Sequence, residues 1–498
     1  MSRHTIAIRP LGGLREGARG DRGEAAEMVN FTVTDRGLLT LRPGVRSLEL
    51  PFSFDLQNQE IRGLWAGFLG QEEFLAVATS PAGAYGDDGD YIQLFRRDSS
   101  GFSAAGLLLR PFGAKTAWVH FFTFHQAPAA GTDNVEFTYL AQSSDRDRVL
   151  GMRCSETYNG DTDTRLFLYG DGTNTCIYTG VTLAGAPSAA YFPAMNEIRV
   201  DGADAPLTAL VRHGSSLIAL KPDGAWSIVY SPLTLPDGTV TAGFYLRPLH
   251  RSLGHYPMGQ AVLVENCPRT VMPGALYDWQ LPSGYLRDER QAVLISRDVA
   301  RLLRDRDPRQ AVALQDSGRG DYYLFSGGEA LVHRYRLGIW CRYQGAAFQD
   351  VRFAEMCAGE PVFAGVRGVY TLDAQAAWDY LPERTAIEAR WQSGPVDLDR
   401  RRTLTRVELT LQPESGSGLA LRVATDRRGA GDSCAAGAGR LRYDAVDYAR
   451  WSYNPSPLPQ RRACRLRARK CTACRLTLTP RAPGCRVGVA ELRLVLTS

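Results

Sequence analysis

A chain of 498 residues with 44% hydrophobic and 22% charged residues has room for about two to four domains and the make-up of a globular protein, which excludes disordered and fibrous classes. Its formal net charge of +5 is too weak for this length to mark a dedicated nucleic-acid binder, and no apolar run approaches the roughly 20 residues that cross a bilayer as a helix. Fifty glycines and 27 prolines favour turn-rich β architecture over helices.

Lysine occurs only at Lys115, Lys221 and Lys470, so nearly every basic residue is arginine. Arginine pairs in a planar, bidentate way and tolerates interfaces better than lysine, which suits faces covered by neighbours. The start MSRHTIAIRP has no apolar core of a signal peptide, and this predicts a chain made in the cytoplasm and not exported. The ten cysteines then read as reduced, mostly buried thiols and not as a disulfide framework.

In chain order, residues 1–50 are predicted to form an N-terminal arm and hairpin. The arm is rich in Gly and charge, has one helical turn over Glu24–Asn30, and leads to a hairpin turning at Asp35-Arg36-Gly37. Few apolar anchors precede Met28, so the arm is expected to gain order only by binding, with Arg15, Arg19 and Arg22 docking on a neighbouring protein.

Residues 51–385 read as strands almost throughout, in runs such as IRGLWAGFL, EFLAVATS, DYYLFSGG and ALVHRYR between turn signals. The segment Leu210–Tyr230 is one antiparallel meander. Its turn is Pro222-Asp223-Gly224, where Gly224 is expected to take a positive φ. Trp65, Trp118, Trp226, Trp279, Trp340 and Trp378 recur late in hairpins, and units of roughly 40–60 residues with three or four strands have the size of propeller blades. The degenerate repeat leaves about five to eight blades open, with Trp226 predicted to fill the space between neighbouring sheets. Only Ser188–Met195 and Ser296–Arg304 look helical, the second with Ser296 as its cap and a Val299, Leu302, Leu303 stripe. Residues 386–498 alternate over long strands and predict a C-terminal, jelly-roll-like β-sandwich.

Chemistry-bearing motifs are few. The spacing Cys464-x6-Cys471-x2-Cys474-x10-Cys485 could grip zinc, but its flanks alternate like ordinary strands, and buried free thiols fit better. Acidic clusters at Gly86–Asp90 and Asp161–Asp163 could hold calcium, although turn-forming Asp and Gly is the simpler reading. There is no nucleophile elbow, no phosphate-binding glycine loop and no H-E-x-x-H, and the Asp-Gly box of sialidase-type propellers is incomplete in KPDGAWS. Paired carboxylates for glycoside hydrolysis are not excluded among so many acidic residues. These readings predict no catalytic residue, no cofactor, no metal and no enzymatic activity.

The stretch GGLREGARGDRGEAAEMVNFTVTDRGLLTLRPGV resembles the opening of many tailed-phage virion proteins, through Gly13-Leu14, Ala25–Asn30 and Arg42-Pro43-Gly44. The middle is similar to their propeller-like body and the tail to their terminal sandwich, so the resemblance covers nearly the whole chain. It implies an all-β structural protein of the virion, a tail hub, nozzle or neck component made in the host cytoplasm. It further implies a homo-oligomeric ring whose partners are other tail or neck proteins and through which DNA passes without sequence-specific binding. The alternative is a glycan-binding or glycan-degrading propeller acting on the host surface, with the sandwich as carbohydrate platform and Trp391 or Trp451 stacking on sugar rings. A third reading is a cellular propeller scaffold for protein partners.

Overall fold

The structure, a computed structural model, describes residues 3–9, 11–56, 58–82, 90–99, 101–109, 119–121, 146–160, 163–180, 191–201, 204–234, 236–238, 240–281, 290–414, 417–427, 431–441, 454 and 456–497. The protein is nearly all β, a six-bladed propeller with a nearly closed, sandwich-like sheet, which is the fold class the sequence predicts. The first strands of blades 1 to 6 begin at Gln59, Cys154, Ala209, Val262, Val312 and Phe353. Blades 1 to 4 are each a consecutive four-stranded antiparallel meander.

Chain contacts divide the molecule into two compact units, residues 49–317 with 351–369, and residues 1–48 with 318–350 and 370–498. These do not follow the sequence boundaries 1–50, 51–385 and 386–498, because the chain returns to each unit after leaving it.

The first unit carries the leading strand of every blade. Those of blades 2 and 3 touch, as do those of blades 4 and 5, 5 and 6, and 6 and 1, so the leading strands form the inner ring of the propeller. Between blades 2 and 3, Tyr158, Phe167, Leu210, Leu217, Ile228 and Trp226 make one core, with Phe244 packed against it. Trp279 does the same between blades 3 and 4 against Val211, Ile218 and Leu220, and its indole Nε1 donates to Thr270 Oγ1 at 3.0 Å.

Trp226 and Trp279 sit on the third strands of their blades, whereas Trp65 lies on a first strand and Trp340 on Ile339–Tyr343. The tryptophan recurrence is therefore not one equivalent position. Trp118 lies outside the described residues. The meander turn is two residues long, Pro222-Asp223, with Lys221 paired to Gly224. Gly224 does not take a positive φ; a Cβ there would lie 2.7 Å from the Trp226 ring and 2.8 Å from His250 O, so glycine is required by the indole beside it.

In the second unit, eleven strands make the sandwich-like sheet. The long strand Val396–Leu411 pairs with Ala468–Pro480 and Gly488–Thr497, burying Leu404, Val407, Leu409 and Leu411 on one face. The expected free arm is part of this sheet. Arg3–Ile8 pairs with Gly488–Thr497, and Ala25–Val29 pairs with Arg390–Ser393. The expected helical turn at Glu24–Asn30 is that second strand, ended by Asn30 at φ 56° before Phe31–Val33 begins. Ile8, Leu11, Leu14, Ala18, Ala25 and Met28 are all buried, so sparse anchors suffice because each one enters the sandwich.

Arg42 is the node of this unit. Its guanidinium donates to Asn30 Oδ1 at 2.9 Å, Pro43 O at 2.8 Å, Gln344 O at 3.0 Å and both carboxylate oxygens of Asp379 at 2.8 and 2.6 Å. Gly44, two residues on, has no room for a Cβ against Trp378 O and Ala376.

The helical segment expected at Ser296–Arg304 is present as a 3-10 turn, Arg297–Val299, running into Ala300–Arg304. Ser296 does not cap it, because its hydroxyl accepts from Leu276 N at 2.8 Å instead. Of Ser188–Met195, the described residues 191–195 are not helical.

Candidate active site on the inner ring

The inner strands are runs of alternating residues, and in blades 5, 6, 1 and 2 they carry carboxylates, that of blade 5 being Asp316, fully buried at the end of Val312–Asp316. Glu355 lies on Phe353–Cys357 of blade 6, Glu60 on Gln59–Leu69 of blade 1, and Glu156 on Cys154–Gly160 of blade 2. Blades 6 and 2 flank blade 1 in the ring. Glu60 is neutralised on its own strand, its Oε2 lying 2.7 Å from Arg62 Nη2.

Glu156 and Glu355 are held differently. Burial pushes the Glu156 carboxyl up to about 7, against the opposing pull of a 2.9 Å hydrogen bond from Thr157 N and the positive charge of Arg212 on the inner strand of blade 3. Burial alone pushes Glu355 up to about 7, and among the described residues it has no hydrogen-bond partner. Both side chains keep partial exposure. A carboxyl crowded by protein yet reached by solvent, with its pKa pushed far from the ordinary value, marks a working group more often than a structural one, and Glu355 has no partner among the described residues to offset the burial.

Ser155, next to Glu156, meets His120 Nε2 at 2.8 Å through its hydroxyl. Nothing among the described residues orients the other ring nitrogen, so this pair lacks the third member of a nucleophile-activating set. The ring's chemistry is instead that of carboxyl groups that exchange a proton near neutral pH, which is what general acid–base work requires.

The residues singled out from sequence lie elsewhere. Arg15 Nη1 is 2.7 Å from Glu24 Oε1, Arg19 is paired with Asp21 at 3.2 Å, and Arg22 is exposed in the short 3-10 turn Gly20–Arg22. All three belong to the unit that holds the sandwich, on the segment threaded between its first two strands.

The four terminal cysteines are buried free thiols. Cys464 shares a hydrogen bond with Cys434, Cys471 Sγ donates to Arg402 O at 3.6 Å, and burial pushes Cys474 up to about 12, which disfavours the thiolate that zinc needs. Among the described residues no three His, Cys, Asp or Glu side chains converge as a metal site would need. Asp90 of the first acidic cluster accepts from Ser80 Oγ at 2.6 Å, while residues 86–89 and 161–162 lie outside the described residues.

Trp391 cannot stack on a sugar. It is fully buried and its Nε1 donates to Gly12 O at 3.3 Å. Trp451 lies outside the described residues.

Sequence reasoning missed Glu156 and Glu355. The available signal was a lone acidic residue inside an otherwise apolar or small-residue strand, in RCSET and FAEMC, at the start of a blade.

No protein-family model and no curated protein sequence matches the chain. Among solved structures it is similar to an exo-β-1,3-galactanase from Phanerochaete chrysosporium, at 8% identity and a TM-score of 0.24 over 90% of this chain and 84% of that one. It is also similar to a glycoside hydrolase family 43 arabinoxylan arabinofuranohydrolase from Bacillus subtilis, at 8% identity and a TM-score of 0.22 over 88% of this chain and 96% of that one. The first is a galactanase and the second a glycoside hydrolase by name, and the expectation that this chain is not an enzyme finds no support in these likenesses.

Proposed function

We propose that the chain acts on glycan and hydrolyses a glycosidic bond at the inner ring of its propeller. The observation that carries this reading is that Glu156 and Glu355, two crowded carboxyls on the inner strands that flank blade 1, are each pushed up by burial to about 7. Glycoside hydrolysis needs one carboxyl that is still protonated near neutral pH to deliver a proton to the leaving oxygen, and a second to activate water or attack the sugar. Glu355, raised by burial and without a partner, is the general acid in this scheme. Glu156, beside Arg212 and the Thr157 amide that favour its charged form, is the base or nucleophile.

The test is release of reducing ends from a panel of bacterial surface polysaccharides by the parent protein, Glu355→Gln and Glu156→Gln. Loss of about 100-fold or more in each variant is expected. Activity equal to the parent's in both variants, or none in the parent on any glycan, would remove the inner ring from the mechanism.

The N-terminal sequence supports a compatible setting, a tailed-phage particle that carries this propeller toward a host surface. Gly13, Asn30, Arg42 and Gly44, which carry that resemblance, are each joints of the unit they occupy: Gly13 has no room for a Cβ against Trp340 O, and Asn30 takes φ 56°. In that setting Arg22, with Arg15 and Arg19 beside it, is available to a neighbouring tail protein. Gold-labelled antibody against the chain should decorate the tails of purified particles, and unlabelled particles would exclude the setting without touching the glycan reading.

A further inference from the structure

A cavity of about 400 Å³ lies within the unit formed by residues 1–48, 318–350 and 370–498. That volume is in the range of small-molecule sites. Its walls come from three parts of the chain: the hairpin at Thr34 and Thr40–Arg42, the turn Ala374–Ala377, and the sandwich residues Gln412–Glu414, Arg440, Arg486 and Val487.

The charged groups in these walls are not equally committed. Arg42 is saturated by its five hydrogen bonds. Arg486 donates one Nη2 bond to Gln375 O. Arg440 is half-buried, and its Nε, shielded from solvent, has no hydrogen-bond partner among the described residues. A shielded, unmet Nε–H on a cavity wall costs free energy that a planar two-oxygen anion recovers by accepting from it and from a neighbouring N–H of the same fork.

The remaining lining narrows the class. Thr34, Thr40, Gln412 and Glu414 offer hydroxyl, amide and carboxylate groups suited to sugar hydroxyls, while Leu41, Ala376, Ala377, Pro413 and Val487 give apolar contact for a ring face. A bare inorganic anion would use the arginines and leave the hydroxyl, amide and apolar groups idle.

We propose that this cavity binds an acidic sugar residue, its carboxylate on Arg440 and Arg486 and its hydroxyls on Glu414, Gln412 and the two threonines. The assignment rests on the glycan reading of the propeller and adds a second carbohydrate site in a separate unit, with a preference for uronate-bearing glycan.

The experiment is titration calorimetry of the full chain with glucuronate and galacturonate, with glucose and galactose as neutral controls and inorganic phosphate as the bare anion. One of the two uronates should bind, the neutral sugars at least tenfold more weakly. Arg440→Gln should weaken that uronate at least tenfold while Arg440→Lys keeps part of it. Because Arg440 Nε has no hydrogen bond to lose among the described residues, Arg440→Gln should melt with the parent, which separates a lost site from a lost fold.

Failure of both uronates to bind, binding unchanged in Arg440→Gln, or phosphate binding as tightly as the uronate would overturn the assignment. Uronate binding in a protein that releases no reducing ends keeps the cavity assignment and sinks the inner-ring mechanism alone.

Discussion

Replacing Arg42 by Met should cost more stability than any other single change in its unit. Arg42 is 1% exposed and Asp379 is 4% exposed, so neither charge has water to fall back on. Without the guanidinium, Asp379 keeps only the 2.9 Å bond from Val45 N, and breaking a buried pair from one side costs about 3–5 kcal/mol. Asn30 Oδ1 is spared, because Gln344 N still donates to it at 2.7 Å. Pro43 O and Gln344 O are not spared, and each half-buried acceptor left unmet adds about 1 kcal/mol, the low end of the range. The sum, at least about 5 kcal/mol, is comparable with the whole stability of many domains. Urea unfolding followed by intrinsic fluorescence should show it as a fall in midpoint, and the double variant Arg42→Met/Asp379→Leu should recover more than half of the loss by removing the stranded carboxylate. A single variant within about 1 kcal/mol of the parent, below the range for any broken buried pair, would refute the assignment of Arg42 as the node.

Trp226→Ala empties the core between blades 2 and 3 and should destabilise by about 3–5 kcal/mol, read from the same unfolding curves; an unchanged midpoint would place the indole outside that core. Glu355→Gln should change the pH dependence of stability. The folded-state carboxyl titrates at about 7 and the ordinary one at 4.5, so between those values the folded chain holds a proton that the unfolded chain has released, and stability falls as pH rises through the window. The full shift corresponds to about 3 kcal/mol, complete above pH 7 and absent below 4.5. The Gln variant should therefore gain on the parent at pH 8 and not at pH 4, and parallel curves would refute the shift. Deleting residues 1–28 should yield insoluble protein, because it removes two strands and six buried apolar residues of the sandwich; a soluble truncation with a cooperative transition would show those strands to be dispensable.

The fold class was legible in the sequence because antiparallel meanders are local. Lys221 pairs with Gly224 three residues away, and a Gly or Pro-Asp turn between alternating runs is visible in any window of twenty residues. What joins distant segments was not legible. Arg3–Ile8 finds Gly488–Thr497 across almost the entire chain, and nothing within MSRHTIAIRP says that the strand's apolar residues, Ile6, Ala7 and Ile8, belong to a sheet built at the other end. The same distance hid the division into units, since Gly44–Ser47 pairs with Tyr370–Asp373.

The candidate site was hidden for a related reason. A carboxylate is catalytic through its surroundings, and the surroundings of Glu156 and Glu355 are made by closure of a ring and not by their neighbours in sequence. Glu60 makes the contrast. It sits on the same kind of strand, but Arg62 two residues on satisfies it at 2.7 Å, so its neutralisation could be read from the sequence RGLW preceded by QEI. Glu355 has no such partner within reach of its own strand, and Arg212, which acts on Glu156, comes from the next blade. A lone acidic residue in the opening strand of a blade, with no basic residue at the i±2 positions that share its face, is thus the pattern that separates a carboxyl left for chemistry from one already spent on structure.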